Sequence, residues 1–231
     1  MIIFDKSRFK WGWIAVTLVI SWLTLVNVVS YFRTGPTQVF LIEKGDLRWL
    51  PLWSTAFYFH IASSSVCLAL GPLLMIPRLV RYRKLHAIMG YAYLNAVLWV
   101  SVPSGLVLSV YAKGGLPSTL GFALTGGLWW AATWLGYRAI RQRNMKSHVC
   151  WMIRSYALAL SAVAFRVVQQ LVAFTPCPNM TNYIFSIWLS LLISLWISEN
   201  CIMRLFPKSP NGKLANRSIP VPFLDTVCSK N

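Results

Sequence analysis

Residues 55–77 read TAFYFHIASSSVCLALGPLLMIP, twenty-three positions with no Lys, Arg, Asp or Glu among them. A bilayer's hydrocarbon core is about 30 Å thick, and an α-helix rising about 1.5 Å per residue crosses it in roughly 20 residues. The stretch is about twice the length of a barrel strand and shows no polar alternation, so it reads as a transmembrane helix. Five more stretches of this kind follow the same rule, at about 13–32, 87–112, 118–137, 149–174 and 183–203. Turn and charge signals separate them: Gly35-Pro36, Pro77-Arg78, Lys113-Gly114-Gly115, and Pro176 with Pro178. The expectation is an all-α, polytopic membrane protein, a single bundle of six transmembrane helices over residues 1–206 with a flexible cytosolic tail over 207–231.

The whole composition agrees. Of 231 residues, 57% are hydrophobic and 12% are charged, against about 25% charged in soluble chains, which excludes disorder and disfavours a soluble domain. The net charge of +17 would suggest nucleic acid in a soluble protein. Its distribution gives another reading. Sixteen of the 22 Lys and Arg residues fall in the N-terminal arm, in the turns around Arg78–Lys84 and Arg138–Lys146, and in the tail. Arg33, Lys44, Arg48 and Lys113 alone fall on the opposite side. Positive charge collects on the cytosolic side, so both termini are expected there and no nucleic-acid partner is needed. The first stretch is too long for a signal-peptide core and has no small-x-small cleavage site, so it reads as an uncleaved anchor. Of five cysteines only Cys177 is placed on the outer face, which provides no disulfide framework there. Asn179-Met180-Thr181 matches a glycosylation sequon, in an outer loop expected to lie too close to the membrane for modification.

Three histidines are present. His86 and His148 both open membrane stretches at the cytosolic edge, each after a basic turn and each followed by Tyr-Ala (Tyr91-Ala92, Tyr156-Ala157). Read as a duplicated hairpin, this pattern sets His86 and His148 facing each other across a four-helix bundle. Two imidazoles from different helices are what a six-coordinate haem iron requires, and nearby basic residues suit its propionates. Gly90, one turn above His86, would admit a flat macrocycle. The plainer alternative makes both histidines interfacial anchors. Zinc fits less well, because it takes three or four ligands and no carboxylate accompanies the pair.

A second set lies toward the outer side. His148, Ser155, Ala159, Ala162 and Arg166 share one helix face, small in the middle and polar at its ends, which suits a bundle interior. Arg166 and Gln170 come near the depth of His60. An Arg at the bilayer centre costs about 2.5–3.5 kcal/mol, so it is expected to face a partner or cavity. No acidic residue lies at its depth in the sequence. Arg154 is expected near Glu199, as a structural pair or as part of an inner-face site. Trp129, Trp130 and Trp134 read as helix packing.

The runs His60…Gly71-Pro72, His86-Ala87-Ile88-Met89-Gly90-Tyr91, Gly114-Gly115…Gly121-Phe122…Leu128-Trp129 and His148-Val149-Cys150-Trp151-Met152-Ile153-Arg154-Ser155-Tyr156-Ala157 resemble the predicted membrane proteins called domain of unknown function 2306, over about residues 55–204. The resemblance implies a multi-helix membrane protein and no particular activity. The chain has Ala87 and Val149 where the family usually has Arg after its second and third histidines. A looser, architectural likeness links it to b561-type cytochromes, but Phe122 stands opposite His60, so one bis-His haem at most is accommodated.

The functional expectation is therefore a membrane redox protein holding one haem b between His86 and His148, with a quinone or another apolar small molecule as electron partner. Its first alternative is a binder, carrier or membrane enzyme for a lipid-like molecule, using His60, Arg154, Arg166 and Gln170. Its second is an accessory or scaffold protein of a membrane complex or biosynthetic pathway.

Overall fold

In the computed structural model the described residues are 6–34, 39–174 and 179–206, and the regular structure among them is helical. In chain order it comprises α1 (Lys6–Thr34), the short α2 (Val39–Glu43), a 3-10 turn at Gly45–Trp49, α3 (Pro51–Leu74), the short α4 (Pro77–Arg81) and α5 (Arg83–Asn95). A π-helical turn at Ala96–Ser101 joins α5 to α6 (Val102–Val110), and α7 (Leu116–Arg141), α8 (Met145–Val172) and α9 (Asn179–Leu205) follow. The six stretches expected from the sequence each fall on one long helical rod, α5 and α6 together forming the third. The short helices α2 and α4 and the 3-10 turn were not foreseen.

Pro51–Leu74, Arg83–Val110, Met145–Val172 and Asn179–Leu205 are long and apolar enough to cross a membrane. α7, with 26 residues, reaches about 39 Å. Its Gly, Thr and Trp content makes it less apolar than the other four. Short turns link α6 to α7 and α7 to α8. Between α6 and α7 the turn uses Gly114 at φ 86° and Gly115 at φ 63°, ψ −145°, the latter a conformation open essentially to glycine alone. Between α7 and α8, Arg143 takes φ 57° and Asn144 caps α8, its side-chain oxygen accepting the Ser147 N–H at 3.0 Å. The alternation gathers Arg83, Lys84, Arg138, Arg141, Arg143, Lys146 and Arg204 at one end of the bundle and Lys44, Arg48 and Lys113 at the other.

Packing depends on small residues and on proline. One face of α9 is a ridge of serines four residues apart, Ser186, Ser190, Ser194 and Ser198, all buried. Small side chains let helices approach closely in a bilayer, where lipid is as apolar as leucine and offers no hydrophobic drive for association. Ser186, Ser190 and Ser198 turn their hydroxyls back onto their own helix, donating to the carbonyls of Asn182, Ile187 and Leu195 at 2.7–2.8 Å. Arg154 and Glu199 then lock α8 to α9 with two hydrogen bonds, Nε–Oε1 at 2.6 Å and Nη2–Oε2 at 3.0 Å. That is the pairing the sequence suggested.

Pro72, inside α3, has no N–H, which takes from the Leu68 carbonyl its ordinary partner four residues on. Tyr156 of α8 supplies a donor, its hydroxyl lying 3.3 Å from that carbonyl. Gly71 makes room for the ring: a Cβ there would overlap it. The Gly-Pro pair is thus a receptor for one tyrosine, and it sets the register of α3 against α8. At the end opposite the Arg- and Lys-rich turns, Trp53 stacks on Phe57 at 5.2 Å and Tyr31 meets Phe57 edge-on at 5.5 Å, tying α1 to α3. Lys44 donates to the Tyr111 carbonyl at 3.1 Å, and Lys113 pairs with Glu43. Burial and the neighbouring Lys113 hold the Lys44 ammonium below the usual lysine range.

Candidate functional site: two histidine levels in one bundle

The centre of the bundle is a polar knot around Tyr93, which is 1% exposed. Its hydroxyl lies 2.9 Å from Ser155 Oγ and accepts the Trp129 indole N–H at 3.3 Å. Ser155 also bonds Thr133 Oγ1 at 2.7 Å, and Thr133 donates to the Trp129 carbonyl at 2.8 Å. Four side chains from α5, α7 and α8 satisfy one another, as groups shut away from water must. The sequence reading found Ser155 and the tryptophans but missed Tyr93 and Thr133. The tryptophans divide: Trp129 is buried in the knot, while Trp130 and Trp134 stack on each other at 6.0 Å on an exposed face.

The knot fixes the relation of two histidines. α5 and α8 run the same way, and Tyr93 bridges to Ser155. Seven residues before Tyr93 is His86, and seven before Ser155 is His148. Seven residues make two helical turns, so both imidazoles return to the bridged faces about 10 Å further toward the Arg- and Lys-rich end, at one depth. His86 lies within electrostatic reach of His148. His148 is oriented: its Nδ1 donates to the Gly136 carbonyl of α7 at 2.8 Å. A carbonyl only accepts, so the proton sits on Nδ1, and in the neutral ring Nε2 keeps its lone pair. His86 Nδ1 is buried and makes no hydrogen bond among the described residues. Around Gly90, one turn along α5, a Cβ would meet nothing within 4 Å, so there is open space beside the pair. Among the described residues no three His, Cys, Asp or Glu side chains gather to hold a metal ion.

The third histidine sits at the other level. Pro103 disrupts the helix ladder between α5 and α6, and the chain answers with the π turn, in which the Val102 N–H reaches back to the Val97 carbonyl. On this turn the Ser101 carbonyl accepts from His60 Nδ1 at 2.8 Å, and Ser101 Oγ donates to Ser63 Oγ at 2.7 Å. Gly105 opens the space for the ring, since a Cβ there would lie 2.9 Å from His60 Cε1. His60 therefore has the same tautomer as His148. Neither the π turn nor its role was expected, although Pro103 within an apolar stretch is the signal that marks it.

Arg166 belongs to this outer level. α3 and α8 are antiparallel and meet where Tyr156 touches Leu68 and Gly71. Ten residues further along α8 is Arg166, which corresponds to positions 58–61 of α3 and so stands beside His60. Its charge acts on His60, and Tyr31 of α1 lies within electrostatic reach of it. The sequence reading made the Ser155-to-Arg166 face an interior one, and this holds for half of it. Ser155 and Ala159 are buried, whereas Ala162 and Arg166 are exposed, because α1 and α8 both pack on α3 without packing closely on each other. Gln170 lies one turn beyond, exposed, and makes no hydrogen bond with His60 or Arg166 among the described residues. Arg154 is on the inner half, held by Glu199 and stacked on Trp151 with its guanidinium 4.7 Å from the ring. A ligand there would have to share it. Asn179, of the sequon, is exposed at the start of α9, and Cys177, Cys228 and the tail lie outside the described residues.

The residues of the quoted runs fall on these contacts: Gly71-Pro72 receives Tyr156, Gly121 packs against Ile187, and His148 bonds Gly136. No curated protein and no solved structure is significantly similar to the chain, so the likeness to b561-type cytochromes has no support there. The family model described as "Predicted membrane protein (DUF2306)" matches residues 57–202, and the chain belongs to this family of multi-pass membrane proteins.

Proposed function

We propose that the protein crosses the membrane six times with both termini cytosolic, and binds one haem b between His86 and His148 near the cytosolic face as a single-electron carrier. The orientation rests on the skew of basic residues toward the end that carries these histidines. The observation that carries the haem reading is the matched register, with both imidazoles two turns from one hydrogen-bonded pair on parallel helices. Three features fit the group. His148 is fixed through Nδ1 with Nε2 available, so it could hold the iron. The Nδ1 of His86 has no protein partner among the described residues, and there is open space at Gly90. Arg83, Lys84 and Lys146 provide positive charge at the same end for two propionates, in place of arginines at Ala87 and Val149. A bound haem would supply one-electron redox chemistry, with a quinone or another small apolar reductant as partner.

Low-temperature electron paramagnetic resonance of protein loaded with ferric haem tests the reading. The expected result is a low-spin bis-imidazole signal that becomes high-spin or disappears in His148→Ala. A high-spin or free-haem signal in the unmodified protein counts against it, and full cellular activity without any of the three histidines would point to an accessory or scaffold role.

A further inference from the structure

The outer level carries a feature that haem at the inner level does not use. Arg166 is placed inside a helix long and apolar enough to cross a membrane, where an unpaired charge is costly. Such an arginine commonly either pairs with an acid or stretches toward the headgroups. Among the described residues no carboxylate lies within salt-bridge distance of it: Glu43 holds Lys113 and Glu199 holds Arg154. Nor does it stretch outward, because Nη1 donates to the Ala162 carbonyl at 2.9 Å, one turn back toward the middle of the bilayer. That is its one hydrogen bond among the described residues, and four of its five N–H donors are left over.

The surroundings describe what could meet those donors. α1 and α8 both pack on α3 and not closely on each other, which leaves a groove with α3 as its floor. His60 of the floor has Nε2 left over from its Ser101 bond, Tyr31 of the α1 wall lies within electrostatic reach of Arg166, and Ser64 Oγ, one turn from His60, is buried without a hydrogen-bond partner among the described residues. The rim is apolar and exposed: Phe32, Phe59, Val167 and Leu171 are 53–65% exposed. A small soluble anion would have to cross this rim, whereas an amphiphile already in the bilayer would lie along it.

We propose that this groove binds the acidic head of a membrane amphiphile, a carboxylate or phosphate on an apolar tail, which enters sideways between α1 and α8. Arg166 takes the anionic oxygens. His60 Nε2 and Tyr31 complete the head site, and the tail runs along Val167 and Leu171 in the lipid.

The test uses the full chain in phosphatidylcholine nanodiscs, with spin-labelled stearic acid, phosphatidic acid or phosphatidylcholine as the probe. The readout is the fraction of probe held motionally restricted by the protein. The expected result is a preference for the two acidic probes over the neutral one of roughly tenfold, the strength of charge-assisted hydrogen bonds. Arg166→Gln should remove this preference and Arg166→Lys should keep part of it. Unlabelled oleic acid should displace the probe, and inorganic phosphate should not; displacement by phosphate would make the site one for soluble anions and overturn lateral entry. Equal restriction of acidic and neutral probes by the unmodified protein overturns the proposal without any variant. So does a preference unchanged in Arg166→Gln. Haem binding at His86 and His148 is read separately by absorbance, so either reading can fail alone.

Discussion

Gly71→Ala tests the contact on which the placement of Arg166 beside His60 depends. The added methyl would overlap the Tyr156 ring, which is 5% exposed and tethered by its hydroxyl to the Leu68 carbonyl at 3.3 Å. A buried rigid ring cannot yield the way the end of a flexible chain does, so the cost should reach the upper end of the overpacking range, about 3 kcal/mol. If the ring is pushed out, its hydrogen bond goes too, adding about 0.6–1.7 kcal/mol for an interhelical bond in a membrane. Against this, alanine is a better helix former than glycine by about 1 kcal/mol. The net expectation is a loss of about 2–4 kcal/mol, read by reversible unfolding in mixed micelles with increasing dodecyl sulfate. In a Tyr156→Ala background the methyl has nothing to strike, and Gly71→Ala should be neutral or slightly stabilising. A coupling of about 3 kcal/mol between the two positions is therefore predicted. An equal cost in both backgrounds, or none in either, would mean that α3 and α8 do not meet there, and the argument placing Arg166 at the level of His60 would fall with it.

Two further outcomes follow from the same contacts. Tyr93→Phe removes a hydroxyl with two buried partners, Ser155 and Trp129, and should cost about 1–2 kcal/mol in the same unfolding assay; if Tyr93 ties α5 to α8, haem retention should weaken with it, and unchanged stability would remove the knot from the account. Gly105→Ala sets a methyl 2.9 Å from His60 Cε1 and should displace the ring from the Ser101 carbonyl. The acidic-probe preference should fall while haem absorbance is preserved, and loss of both together would show a general packing defect instead.

The long rods were legible because each depends on a property of the sequence alone, a predominantly apolar run of bilayer length bounded by turn or charge signals. Their register was less legible. The pairing of His86 with His148 could be suspected from the repeated basic turn, yet the reason for it, Tyr93 reaching Ser155, needs two helices that are far apart in sequence to be placed side by side. The Arg154–Glu199 pair was easier, since Glu199 is the one acid within an apolar stretch. The α9 serines stand four apart and could have been read as a packing ridge. Polar residues in an apolar stretch attract attention as functional sites, and these turn out to be where helices touch. Pro103 and Pro72 were visible as prolines, but not which neighbour would bond the carbonyls near them. Ala162 and Arg166 were assigned to the interior by helical periodicity, which gives a face but does not say whether another helix covers it.

The most direct test of the central claim is the visible absorption spectrum of the full chain, produced with ample haem and purified in mild detergent, beside His60→Ala, His86→Ala and His148→Ala. A reducible b-type spectrum at one haem per chain is expected, lost in His86→Ala and in His148→Ala and retained in His60→Ala. A colourless unmodified protein that stays colourless on haem addition, or a spectrum that survives loss of either inner histidine, would contradict it.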